Sequence, residues 1–275
     1  KVANLPSTLI AVSLSIDMVP YLCDIATRKE TRQHGEMVGG SVRMLSAALL
    51  PLTAVTIVMS GPVMRLLFDH RAAWSAGDVR MAGLALAILS TSILFVSLEN
   101  ILMQTFFSLQ RTILPTVLGI IFSVLPSLAL YLAIEKLEMG AHAFLLVCIA
   151  WPAARILKNL FLFTFVQRRV PVLAAGESAV FLPKLAALCA APALAAWATY
   201  RWIAAALPLE AHSASRVGFE LVKCIHVGVP SLCALLAFLL LCVLLRLEEF
   251  RVAVQWVREK GWRHRPAASS ESVSA

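Results

Sequence analysis

Residues 221 to 245, LVKCIHVGVPSLCALLAFLLLCVLL, contain Lys223 as their single charged side chain. A run like this leaves no polar face for water, so it does not read as the half-buried helix of a soluble domain. It has the length of about 20 apolar residues that crosses roughly 30 Å of hydrocarbon. The pattern recurs along the chain. Seven such runs lie near 4–23, 42–60, 81–107, 113–134, 141–166, 179–207 and 221–245. A lipid-exposed backbone must satisfy its own hydrogen bonds, and the period-two alternation of a barrel strand is absent, so these runs predict helices. The expected fold class is all-α, a polytopic transmembrane helix bundle with about seven spans.

Composition excludes the main soluble alternatives. Only 15% of residues are charged and 60% are hydrophobic, where soluble chains carry about a quarter charged residues. All connections between the runs are short, which leaves no room for a soluble catalytic domain. No glycine-rich phosphate loop, HExxH or GxSxG is present. Six cysteines fall inside or at the edges of spans without ligand spacing and read as small packing residues. No enzyme activity, cofactor or metal is therefore expected. The chain opens on Lys1, and no basic segment with a small-residue cleavage site precedes the first run. It is expected to be a piece of a longer protein without a visible signal peptide.

A net charge of +8 would suggest nucleic acid in a soluble protein. Here the basic residues are spread around membrane spans, and no nucleic-acid partner is expected. The segment 246–262 places Leu247, Phe250, Val254 and Val257 on one helical face with charges opposite. That suits a helix lying on anionic lipids, or equally a solvated helical extension. Residues 263–275 read as a disordered tail.

Loop charges bear on orientation. Arg28, Lys29, Arg32, Arg43, Arg111, Arg168 and Arg169 fall on one side; Arg65, Arg71, Arg80, Lys136, Arg201, Arg216 and Lys223 fall on the other. The two sides balance until the basic tail is added, which tips the C-terminus towards the cytoplasm. Lys184 and Lys223 lie near span ends, where their stems can snorkel to the interface. His226 reads as a satisfied polar residue.

Polar residues inside the runs need a reason, because a charge at mid-bilayer costs about 2.5–3.5 kcal/mol on insertion scales. The candidates are Asp17 in the first run, Glu99 with Asn100 in the third, and Arg155, Lys158 and Asn159 in WPAARILKNLFLF. The last three stand at i, i+3 and i+4 and share a helical face. Two cations on one face require an anion from elsewhere. Asp17 and Glu99 supply it if the charges form structural pairs. A phosphate or diphosphate group supplies it if the cations line a wet cavity. The residues allow both readings, and pairs that exchange when substrate enters would satisfy each.

The stretches NLPSTLIAVSLSIDMVPYLCDIA, SVRML, SGPVMRLLFD with WSAGD after it, FFSLQRTILP and KNLFLFTFVQRR resemble, in that order and spacing, the second half of the MviN/MurJ family. That family comprises lipid II flippases within a wider superfamily of multidrug and oligosaccharidyl-lipid exporters. The motifs cover residues 1 to about 170. The resemblance implies a fold of fourteen helices, two six-helix lobes and a final pair forming a groove for the lipid tail. Residues 1–170 would then be five helices of the second lobe, and 171–245 the final pair. An N-terminal half with seven more helices is expected.

The resemblance also implies a bacterial inner-membrane location with RKETR, SLQRT and VQRRVP in the cytoplasm. Lys1 stands where the family usually has a cavity Arg, Asn159 matches a common family Asn, and Asn100 stands where a polar or basic residue is frequent. Arg111 and Leu114 replace the Asp and Thr of the usual FFSLQRTILP pattern. The implied function is translocation of a polyprenyl-diphosphate-linked peptidoglycan precursor by alternating access. The cavity candidates are thus Lys1, Asn100 and Asn159, by resemblance, and Arg155 and Lys158, by their shared helical face, with Asp17 and Glu99 as ion-coupling or charge-balancing candidates; Asp17, Arg155 and Lys158 stand as additions to the family pattern. The rivals are an exporter of another lipid-linked sugar or of drugs, a membrane-embedded enzyme, and a cell-wall scaffold.

Overall fold

The computed structural model describes residues 31–68, 75–135, 142–170, 175–207 and 216–245. Seven helices cover them: α1 (Thr31–Phe68), α2 (Ala76–Ser90), α3 (Ser92–Ser108), α4 (Ile113–Glu135), α5 (His142–Gln167), α6 (Ala175–Ala206) and α7 (Arg216–Leu244). No strand occurs among the described residues. Because α2 and α3 follow one another through a single residue, the helices form six segments long and apolar enough to cross a membrane. The chain is thus an all-α polytopic bundle. The run near 4–23, with Lys1 and Asp17, lies outside the described residues, as do 246–262 and 263–275.

Two expected boundaries change. The run near 42–60 belongs to a helix of 38 residues, because the polar stretch before it continues the helix into water. Arg32 and Glu36 form an exposed i, i+4 pair there at 3.0 Å. The run near 81–107 is two helices. Ser90, Thr91 and Ser92 turn their hydroxyls onto the carbonyls of Leu86, Ile88 and Leu89, each at 2.6 Å. Hydroxyls that bond back to the preceding turn compete with the α-helical ladder. The Thr91 amide accordingly donates to Ile88 O at 3.2 Å, one residue closer than in an α-helix.

The ends of α2 and α3 follow from local chemistry. Ser75 caps α2: its Oγ accepts from the Asp78 amide at 3.2 Å, and the Asp78 carboxylate accepts from the Ser75 amide at 3.0 Å. At the end of α3 the Arg111 amide reaches Phe106 O and the Gln110 amide reaches Phe107 O, both at 3.0 Å. This is the paired closure of a helix C-terminus that demands a left-handed residue. Gln110 fills that position at φ 56°, where glycine would be unstrained. FFSLQR therefore stops one helix before ILP starts the next.

Helix α1 is the centre of the bundle. It packs on α2 and α3 along one side and on α6 and α7 along the other, while α5 packs on α2, α3 and α4. The main core joins Val38, Leu45 and Leu49 of α1 to Ile93, Ile101 and Leu102 of α3, with Leu162 and Val166 of α5. A second cluster holds Met59 of α1, Ala196 of α6 and Ala234 of α7. Small residues let α1 and α2 approach closely: a Cβ on Gly83 would stand 3.3 Å from the Gly61 Cα. Outward faces are apolar instead of charged. Ile113, Ile120 and Ile121 of α4 and Leu236, Leu240 and Val243 of α7 are exposed, the inverse of a water-soluble surface and the arrangement that acyl chains require.

Candidate functional site

Glu99 projects from α3 towards α5, and the shared face of α5 meets it there. The Arg155 Nη1 donates to Glu99 Oε2 at 2.5 Å and the Lys158 Nζ to Glu99 Oε1 at 2.6 Å. Each carboxylate oxygen thus takes one cation. The side chains are mostly withdrawn from solvent, with Glu99 13% and Lys158 10% exposed against 30% for Arg155. Charges this deep interact far more strongly than surface pairs, and each costs several kcal/mol to desolvate. The cluster retains one positive charge in surplus.

Neighbouring side chains shape the site. The Arg155 guanidinium lies over the Trp151 ring at 5.3 Å from its centroid, a cation–π contact one helical turn away. Helix α4 closes the outer side, and Phe122 meets Phe161 of α5 with ring centroids 5.9 Å apart. Gly119 leaves the Lys158 ammonium a passage: a Cβ there would stand 3.6 Å from Nζ. Between α3, α4 and α5 the three charged groups, Phe122, Ser123, Pro126, Trp151 and Ala154 line a cleft of about 80 Å³. That volume holds a few waters. It is much smaller than a sugar-diphosphate headgroup.

The other residues expected at a site are distributed differently. Asn159 is buried at the α3–α5 seam, where its amide donates to Phe95 O and Arg155 O, both at 2.9 Å. It ties the helices together and does not line the cleft. Its Oδ1 is buried without a partner among the described residues. Asn100 is half-buried next to Glu99 and also lies off the cleft. Lys1 and Asp17 lie outside the described residues. The paired charges are thus Glu99, Arg155 and Lys158.

Sequence reasoning overlooked Trp151, Ser123 and Gly119. Trp151 stands four residues before Arg155 and so shares its face, a signal that was available. Nothing in the sequence aligns Gly119 and Ser123 with α5, because that depends on how α4 packs. The snorkelling expected of Lys223 is corrected. Helix α7 begins at Arg216, two turns before Lys223, and the lysine is 3% exposed within the bundle. His226 is satisfied as expected: its Nδ1 lies 2.8 Å from Val222 O, and its ring meets Tyr200 edge-on at 6.2 Å.

A multi-span helical bundle that keeps a cation-rich polar cluster between its spans, with apolar surfaces turned outward, is a polytopic membrane protein with an internal polar site. The chain belongs to the lipid II flippase MurJ family, whose sequence model matches residues 1–209. The match runs through α6, beyond the motifs that end near 170. Among curated relatives, the probable lipid II flippase MurJ of Bdellovibrio bacteriovorus is 28% identical over 139 residues. The aligned part is 50% of this chain and 25% of that relative, so the chain spans about a quarter of the relative's length.

Proposed function

We propose that this chain takes part in moving a polyprenyl-diphosphate-linked peptidoglycan precursor, lipid II, from the cytoplasmic to the outer leaflet of the bacterial inner membrane. The observation that carries the reading is a surplus of cations inside the spans of a chain matched by the lipid II flippase family over residues 1–209. Transport of this kind makes and breaks no covalent bond, and no catalytic residue is proposed. The C-terminus is cytoplasmic in this reading.

The mechanism follows from the charge balance of the cluster. Glu99 holds Arg155 and Lys158 while no anion is present, which keeps two cations tolerable in a low-dielectric setting. A diphosphate that reaches them competes with Glu99 for the same donors. Displacing Glu99 releases both cations, so the exchange can couple to an ion or to the membrane potential. Alternating access then opens the small cleft on each side in turn, with this chain supplying one lobe and the α6–α7 pair guiding the prenyl tail. Lys1 and Asp17 join the path as a further cation and a balancing acid.

The pairing also favours a second reading, in which the cluster only locks α3 to α5. A charge-balanced variant separates them. Glu99→Gln, Arg155→Gln and Lys158→Gln together remove every charge and leave no stranded ion. The transport reading expects a protein that inserts and folds but no longer moves lipid II to the outer leaflet, measured by its accessibility to an external modifying enzyme. Unchanged movement by the triple variant leaves the cluster with a structural role alone.

A further inference from the structure

A second polar region lies at the other end of α1, where nothing in the translocation reading uses it. The C-terminal end of α1 and the first turns of α2 enclose a cleft of about 610 Å³, within the range of small-ligand sites. Arg65 of α1 and Arg80 of α2 line it, together with Ser60, Gly61, Gly77 and Gly83. Both arginines are exposed, and neither has a carboxylate partner among the described residues. The nearest acid on α2, Asp78, is committed to its capping box with Ser75.

The walls suit an anion for three independent reasons. Two guanidinium groups face one space, and each presents a planar fork that matches phosphate oxygens two at a time. Gly61 and Gly77 carry no side chain, so a ligand can come close to the backbone there, while Gly83 packs against Gly61 and sets the approach of the two helices. Gly77 belongs to the first turn of α2, where Ser75 Oγ takes the Asp78 amide and the amides of Ala76 and Gly77 have no acceptor within the helix. Depth agrees with a membrane-surface ligand. Helix α1 has 38 residues and is about 57 Å long, nearly twice the hydrocarbon thickness of roughly 30 Å. The apolar run 42–60 is itself about 28 Å of helix, close to that thickness, and Arg65 lies beyond its end.

We propose that the α1–α2 cleft is a phosphate-binding site at the membrane surface, holding a phosphate or diphosphate group between Arg65 and Arg80. The group arrives either on a lipid headgroup or dissolved in water. The site is separate from the Glu99 cluster and is read by equilibrium binding, so its failure leaves the translocation reading untouched.

The test uses the full chain in phosphatidylcholine nanodiscs, with two probes. One is inorganic diphosphate, followed by phosphorus NMR line broadening. The other is a polyprenyl diphosphate placed in the disc, followed by its retention in native mass spectrometry. Wild-type protein is expected to hold at least one probe. Arg65→Gln with Arg80→Gln should weaken that binding at least tenfold, while Arg65→Lys with Arg80→Lys keeps the charge, loses the fork and falls between. Retention of dissolved diphosphate alone assigns an aqueous ligand; retention of the lipid, alone or with it, assigns a headgroup. Either result supports the site where Arg65→Gln with Arg80→Gln weakens the retention and the Glu99→Gln, Arg155→Gln, Lys158→Gln variant does not, because the interior cations are a second place for a diphosphate. Binding in the double Gln variant within twofold of wild type overturns it, as does wild-type protein that holds neither probe. Thermal melts of the variants that match wild type exclude misfolding as the cause.

Discussion

Arg155 and Lys158 meet the bilayer on different terms from Arg65 and Arg80. The first two stand near the middle of α5 with a carboxylate between them; the second two stand at helix ends, exposed, with no such partner among the described residues. Solvation accounts for the difference. Water and headgroups solvate a charge at a span end almost without cost, whereas a charge withdrawn between helices requires a counter-ion brought by the fold. A cation at the end of a span is free to meet a ligand, and a cation in the middle must first give something up. The two regions differ in what an arriving anion displaces: water in one, Glu99 in the other.

The largest expected effect tests whether the interior charges depend on their carboxylate. Glu99→Ala strands two cations among α3, α4 and α5, and breaking a buried pair costs about 3–5 kcal/mol. Thermal or denaturant unfolding in detergent should show a loss of that size. Adding Lys158→Met, which removes one of the stranded charges, should recover part of it. A Glu99→Ala protein that unfolds like wild type would mean that the interior cluster is as well solvated as the cleft at the helix ends, and the contrast would disappear.

The Glu99 cluster was half legible in the sequence. The i, i+3, i+4 spacing placed Arg155, Lys158 and Asn159 on one face, and the need for a counter-ion pointed to Asp17 or Glu99. Only the packing of α3 on α5 selects Glu99 and turns Asn159 into a staple between helices. The spans were legible because about 20 apolar residues admit one reading. Their polar extensions were not, because residues such as Thr31 to Glu36 become helical by continuing a helix already anchored in the membrane. The cleft at Arg65 and Arg80 was hidden for another reason: in the sequence these arginines counted only as loop charges, and the Gly61–Gly83 approach that joins their helices is a tertiary contact.

That approach supplies the next test, which acts on the helix-end region alone. Gly83→Leu sets a Cβ 3.3 Å from the Gly61 Cα, and backbone cannot yield as a flexible side chain can. Forcing the helices apart should cost about 1–3 kcal/mol, in the range for overpacked positions, and should fill the floor of the cleft. Unfolding measurements should show the loss while the Glu99 cluster, carried by α3 and α5, keeps its response to Glu99→Ala. A cost for the double variant well below the sum would show that the two regions are energetically coupled.

A smaller change at the end of α3 gives the scale of a local effect that touches neither cluster. Gln110 occupies the left-handed region at φ 56°, which costs an L-residue about 1–2 kcal/mol relative to the right-handed form. Glycine removes that strain and loses about 0.5–1 kcal/mol through its greater freedom when unfolded. Gln110→Gly should therefore stabilise the chain by between about 0 and 1.5 kcal/mol, read as at most a small rise in melting temperature. A loss of stability would mean that the Gln110 side chain holds the α3–α4 turn by contacts of its own.

The smallest expected change is the most discriminating. Arg65→Gln with Arg80→Gln removes two positive charges, as many as lie in the interior cluster, yet both side chains are exposed and no carboxylate among the described residues loses a partner. Surface changes of this kind stay within about 0.5 kcal/mol, so the melting curve should coincide with that of wild type. If the two guanidinium groups repel each other across their cleft, the variant gains slightly at low salt, and the gain vanishes as added salt screens the pair. A marked destabilisation would instead require an acidic partner, which would make the helix-end cations as dependent on the fold as Arg155 and Lys158 are on Glu99.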